Sequence, residues 1–111
     1  MNIINLTPHV CHICNDVGEI VRSIEPTTPA ARVSSTVSVV GSIDGIPVTN
    51  TRFGDVENLP APADDTVYIV SLLVQQAAPD RTDLYRPDTG PQNVVRDATG
   101  QIVGVKALAG R

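Results

Sequence analysis

The sequence predicts an α+β domain, mainly β, formed by an antiparallel sheet of about seven to eight short strands with one short helix. Three observations lead there. Aromatic residues are confined to Phe53, Tyr68 and Tyr85, so a core must be assembled from Val, Ile, Leu and Ala, a set that favours pleated sheet. Pro and Gly together make up about one residue in seven and cut the chain into short pieces. Apolar residues alternate with polar ones in several of those pieces. At 111 residues the chain is expected to form a single domain, 1–111, so a sizeable ligand site must lie on a rim, in a loop-framed cleft or between subunits.

Each element follows from local pattern. Residues 3–6 form an apolar run stopped by Thr7-Pro8, and residues 9–14 resume an extended pattern before "NDVGE" turns the chain. "EIVRSI" at 19–24 reads as a third strand, closed by the prolines of "EPTTPA". From Ala31, Val33, Val37 and Val39 alternate with Arg32, Ser34, Thr36 and Ser38, which predicts an apolar face turned inward and a hydroxylated face turned outward. "SIDG" then turns the chain into "IPVTNTRF", a hairpin partner with Pro47 near its start. After the loop "GDVENLPAPADD", the near-continuous apolar run of "TVYIVS" predicts a buried central strand. Ser71 is a suitable N-cap, "LLVQQAA" consists mostly of helix formers and Pro79 stops them, so a helix is expected over 72–78. "DRTDLYRPDTGPQ" reads as a long irregular stretch, and "NVVRDATGQIVGVKAL" as two strands joined by a tight turn at Asp97 to Gly100.

Charge and composition narrow the function. A net charge of −4 argues against duplex nucleic acid, which demands a basic stripe to neutralise phosphates. Residues 1–79 carry three Arg against eight acidic residues, whereas residues 80–111 carry five basic groups against four acids, so a small anion is better placed near Arg52 and the Arg81 to Arg111 region. The start "MNIINLTPH" has no basic leader, and "VYIVSLLV" falls far short of the roughly 20 apolar residues that span a bilayer. A cytoplasmic protein, with no membrane partner, is therefore expected. Asn5-Leu6-Thr7 fits a glycosylation sequon that has no use in that compartment.

His9, Cys11, His12 and Cys14 lie within six positions and raise the question of zinc or dithiol chemistry. In a strand, Cys11 would share a face with His9 and Cys14 with His12, and the chain has no further Cys or His to complete a set of four. A redox pair would open a long helix, where this stretch is β-patterned. No metal and no cofactor are expected. His9 or His12 with Asp16 offers only a common coincidence of base and orienter, and Asp64 and Asp65 read as solvated loop acids.

"TRFGD" at 51–55 is the more informative set. Arg52 offers a planar cation for phosphate, Phe53 a stacking face, and Gly54 room for backbone amides to approach a ligand. The competing reading makes Phe53 a core residue at the end of a strand and Arg52 a solvated charge. "DLYRPDTG" adds Tyr85, Arg86 and Asp88 on a long loop, and Arg81 and Arg96 complete the basic region as candidate contacts.

Five segments, "INLTPH", "TRFG", "YIVSLLVQQA", "RPDTGP" and "GQIVGVKAL", give nearly the whole chain a resemblance to a type of small phage and prophage protein that commonly opens on N-L-T-P-H and closes on a G-x-I-x-G-V strand. It is also similar to the anti-Thoeris sponge proteins, oligomeric phage products that trap cyclic ADP-ribose isomers and in some cases cyclic oligonucleotides. That resemblance implies a homo-oligomeric, non-catalytic protein of sheet and helix that sequesters a cyclic nucleotide immune signal in the host cytosol, with an aromatic residue on adenine and Arg on phosphate. Arg52 and Phe53 suit that chemistry. Two other outcomes remain open. One is a protein-interaction module without a small ligand, an inhibitor of a host enzyme or a minor virion component, which predicts an exposed apolar patch or unpaired strand edge. The other is a small nucleotide hydrolase using His9 or His12.

Overall fold

The computed structural model describes residues 1–110. Arg111, the end of the basic region, lies outside the described residues. Ten strands and one helix are present among them. The first three strands are β1 (Asn2–Asn5), β2 (Cys11–Cys14) and β3 (Ile20–Ile24); two long ones follow, β4 (Arg32–Ile43) and β5 (Ile46–Glu57). Then come β6 (Thr66–Ile69), the helix α1 (Leu72–Ala77), β7 (Leu84–Pro87), β8 (Val94–Arg96), β9 (Ile102–Val105) and β10 (Leu108–Ala109).

The strands form two mixed four-stranded sheets and a separate hairpin, where the sequence predicted an antiparallel sheet. One sheet has the order β1-β6-β7-β10, with β1 and β7 both parallel to β6 and β10 antiparallel to β7. The other has the order β3-β2-β9-β8, with β2 parallel to β9 through Ile13 and Val105. Alternation along a strand tells which side chains share a face, but not which strand lies next to it, so the parallel pairings were invisible to it. The α1 crossover lets β6 and β7 run parallel. It also makes a strand of Leu84–Pro87, inside the stretch expected to be irregular.

Central position explains the burial of the apolar run in β6. Tyr68 and Val70, on one side, join Leu6, Ala31, Val74 and Leu84 in a core covered by α1. Ile69 points the other way, into a second core with Cys11 and Ile24 where the two sheets meet. Ile69, Val70 and Val74 are completely buried. Ser71 caps α1 by accepting from the Val74 amide at 3.3 Å, and the helix stops before Pro79, close to its expected limits.

The N-L-T-P-H segment forms a polar clasp around the buried side chain of Asn5. Asn5 is fully buried; its amide donates to the carbonyls of His9 at 2.8 Å and Ile24 at 2.9 Å. Its Oδ1 accepts from the Thr7 amide at 3.0 Å and the Thr7 hydroxyl at 2.7 Å. Both donors and both acceptor positions of the side chain are thus used. The clasp ties the turn after β1 to the end of β3, the kind of fully satisfied network that fixes one arrangement of a core.

The hairpin departs most from expectation. Its Asp44-Gly45 turn, with φ of 49° and 79°, suits the tight connection of twisted strands. The strands, however, stand away from the sheets as an arm. Val37 and Val39, expected to face inward, are 61% and 68% exposed. The radius of gyration is 16.7 Å, against roughly 13 Å for a compact chain of this length. Alternation was read correctly as strand; nothing in it states that a second layer will be there to cover the apolar side.

Candidate functional site

The surface beside α1 gathers four of the sequence's candidates. Phe53, which pairs with Ser35 in the arm, faces Leu73, Gln76 and Ala77 across a depression of about 150 Å³. On the other side of Gln76, Leu72, Gln75, Arg86 and Gly110 frame a second depression of about 290 Å³. Gly110 also borders a third, about 330 Å³, lined by Pro79, Arg81, Leu84 and Tyr85. Gln76 and Gly110 are the shared posts of one shallow strip with an aromatic group near each end and Arg86 between.

The parts of this strip are differently committed. Gln75 is buried and donates through Nε2 to the carbonyls of Leu84 and Ala109, both at 3.2 Å, holding β10 and β7 against the helix. Arg81 grips Asp83 with two bonds, Nε to Oδ1 at 2.9 Å and Nη2 to Oδ2 at 2.8 Å, and lies 5.9 Å from the Tyr68 ring centre. That hydrogen bonding holds the Asp83 carboxyl below the usual carboxylate range. The charge of Arg81 is thus paired within the protein, which makes it a weaker partner for a phosphate. Arg86 is different: its Nε is buried and has no hydrogen-bond partner. A buried N–H of a permanent cation left unpaired is rare, because leaving it unsatisfied is costly. The rest of its side chain borders the depression beside Gln75 and Gln76.

The other candidates fall elsewhere. Arg52 pairs with Thr36, next to Phe53 on β5, so strand alternation turns it to the opposite side of the arm. Gly54 serves the hairpin itself, since a Cβ there would meet the Ser34 hydroxyl. Asp88 accepts from the Gly90 amide at 2.9 Å and from Asn93 at 3.0 Å, shaping the loop after β7. Arg96 donates to the Gly100 carbonyl at 2.7 Å, bracing the β8–β9 turn. Gln75, Gln76, Leu72 and Gly110 were missed; the one available signal was the pair of Gln residues interrupting the apolar "LLV".

His9 and His12 line a depression of about 300 Å³ on the second sheet, with Val10, Pro87, Ile102 and Val103. It shares no lining residue with the strip beside α1. His12 Nδ1 lies 2.8 Å from the hydroxyl of Ser23, its directly opposite cross-strand partner. Cys11 and Cys14 are both buried free thiols: Cys11 lies in the core with Ile24 and Ile69, and Cys14 lies beside Gly104 on the side of His12, as alternation along the strand requires. Burial pushes the Cys11 thiol up, which keeps it protonated and unreactive at neutral pH. No group of three or more His, Cys, Asp or Glu side chains suited to a metal occurs among the described residues. No helix among them is long and apolar enough to cross a membrane. Compared with known protein families, characterised proteins and solved structures, the chain matches none.

Proposed function

We propose that this protein is a non-catalytic binder that sequesters a small phosphorylated nucleotide on the strip beside α1. The ligand class is a cyclic ADP-ribose isomer or cyclic oligonucleotide, held away from an immune effector in the cytosol of a phage-infected host. The observation that carries the reading is the placement of the Arg86 cation beside Gln76 in the strip, with Phe53 across the next depression. The Arg86 guanidinium would meet a phosphate oxygen, Gln76 lies beside it to add a polar contact, and Phe53 offers a ring face for a base. Arg, Gln and Tyr bind and orient an anion at neutral pH but do not shuttle its protons, which suits capture rather than turnover.

The test is a thermal-shift screen against cyclic ADP-ribose isomers, cyclic di- and trinucleotides and plain adenine nucleotides, with heat release and chromatography of whatever binds. A ligand at a thousandfold excess over its dissociation constant stabilises the folded state by about 4 kcal/mol. Intact ligand, and a shift abolished by Arg86→Ala, is the expected result. Cleaved ligand would convert the protein to a hydrolase and return His9 and His12 to consideration. No shift with any nucleotide removes the binder.

A second reading, the protein-interaction module, is favoured by the exposed apolar arm with its free strand edges. One stoichiometric host protein retained by the wild type, and lost when the arm carries Val39→Lys, would support it.

A further inference from the structure

The arm presents β-branched side chains with nothing of its own chain against them. Val37, Val39 and Val40 are 61%, 68% and 61% exposed, and Ile43 and Ile46 are each 66% exposed. A two-stranded ribbon in water is marginal without a third strand or a covering layer. Beyond Ala31, whose amide donates to the Leu6 carbonyl, the arm's main chain bonds only within the hairpin among the described residues.

Its two outer edges differ in kind. β5 carries Pro47, which lacks an N–H, and the charges of Arg52, Asp55 and Glu57, features that discourage edge pairing. β4 has no such protection: residues 33–43, "VSSTVSVVGSI", contain neither a charge nor a proline. That stretch is also nearly symmetric about Ser38. In an antiparallel pair related by a two-fold axis, the residue a given number of positions before the axis faces the residue the same number after it. An axis at Ser38 sets Val37 opposite Val39, Thr36 opposite Val40, Ser35 opposite Gly41, Ser34 opposite Ser42 and Val33 opposite Ile43. One step further out, Arg32 of each copy comes beside Asp44 of the other. Like sizes meet, and the only charges at the ends are of opposite sign.

We infer that the free edge of β4 is a self-association edge, on which a second copy of this chain pairs antiparallel about an axis through Ser38. The product is a continuous four-stranded sheet, β5-β4-β4-β5. The irregularity between Val39 and Gly41 falls opposite Ser35 to Val37 of the other copy on both sides of the axis. Val37 and Val39 share a side of the pleat with Phe53, as their partners Thr51, Thr49 and Ser35 indicate, so the joined sheet gathers them into one apolar stripe. Association of this kind is independent of whether the strip beside α1 takes a nucleotide.

The experiment uses the full chain. Directly opposed residues in an antiparallel pair lie about 4.5–5.5 Å apart at Cα, within reach of a disulfide. Ser38→Cys is therefore expected to cross-link to a covalent dimer under mild oxidation. Thr49→Cys on β5 stays uncross-linked, and the wild type, whose two thiols are buried, supplies the baseline. The double variant Val37→Lys/Val39→Lys makes lysines face each other across the axis and should raise the dimer dissociation constant about 100-fold or more. Both positions are exposed, so circular dichroism should show the fold retained. A wild type that sediments as a monomer up to about 100 µM overturns the inference, whichever other partner the arm then takes. So does a dimer that survives both lysines, or one in which Thr49→Cys cross-links and Ser38→Cys does not.

Discussion

In the body, the apolar run of β6 is sealed, with Tyr68 at 3% exposure and Ile69 and Val70 at 0%; in the arm, Val37 and Val39 of β4 stand 61% and 68% exposed. Both segments are β-branched or aromatic, both are extended, and both were legible as strands. They differ in what lies on either side. β6 has parallel neighbours on both edges, the α1 core on one face and the second sheet on the other. β4 has one neighbour, β5, and packs Val33 against the α1 core. Propensity thus decided the local conformation in each, while the energy of burial went almost entirely to the body.

Substitutions that separate the two regions test that division. The largest effect is expected at Ile69→Ala, about 2–5 kcal/mol of lost stability in chemical denaturation, because the side chain is fully buried where the sheets meet. Its counterpart in the arm, Ile46→Ser on the tip of β5, should stay within about 0.5 kcal/mol of wild type at low protein concentration. An equal loss at both positions would break the comparison. Asn5→Ala should cost about 3 kcal/mol, since it removes the side-chain partner of the Ile24 carbonyl and of the Thr7 amide and leaves the His9 carbonyl to the Thr7 hydroxyl alone, with amide exchange rising first at Thr7 and Thr27. Gly104→Ala comes next, at about 2 kcal/mol. A Cβ there would stand 2.8 Å from the His12 carbonyl oxygen and 2.7 Å from Cys14 Sγ, forcing β9 away from β2. A neutral result at Gly104 would mean that the two strands separate more easily than their packing implies.

The sequence was most informative where one residue controls one local event. Ser71 and Pro79 bounded the helix, the polar-apolar alternation marked the strands, and Asp97 to Gly100 announced the last turn. It was least informative about partners. The continuous apolar character of "TVYIV" is what a strand with parallel neighbours and two covered faces looks like; read alone, it gave burial and left the neighbours open. β7 escaped notice because "LYRP" has no alternation, and its strand character comes from pairing with β6 and from the bond that Gln75 gives to the Leu84 carbonyl. Asn5 read as part of a sequon, since no local pattern reveals that one amide will reach both His9 and Ile24. In the candidate site, Phe53, Tyr85 and Arg86 could be chosen by chemistry, but their meeting across Gln76 and Gly110 depends on packing around α1.

The smallest expected effect is confined to the turn between β8 and β9, and it divides the body itself into a sealed centre and a solvated margin. Asp97 Oδ1 accepts from the Thr99 hydroxyl at 2.6 Å, the Thr99 amide at 2.9 Å and the Gln101 amide at 3.1 Å. These bonds, led by that of Thr99, hold its carboxyl below the usual range although it is fully solvated. Because the folded pKa is the lower one, the turn's advantage is present above the ordinary aspartate range and is lost as pH falls through the folded value. Acidification should therefore lower the protection of the Thr99 and Gln101 amides, taken relative to the intrinsic exchange rate at each pH, before any change at Ile69 or Val70. Asp97→Ala should produce the same local fraying at neutral pH and remove its pH dependence. If protection at the turn and at β6 instead fell together on acidification, the margin and the centre would open as one unit, and the division would have to be drawn between body and arm alone.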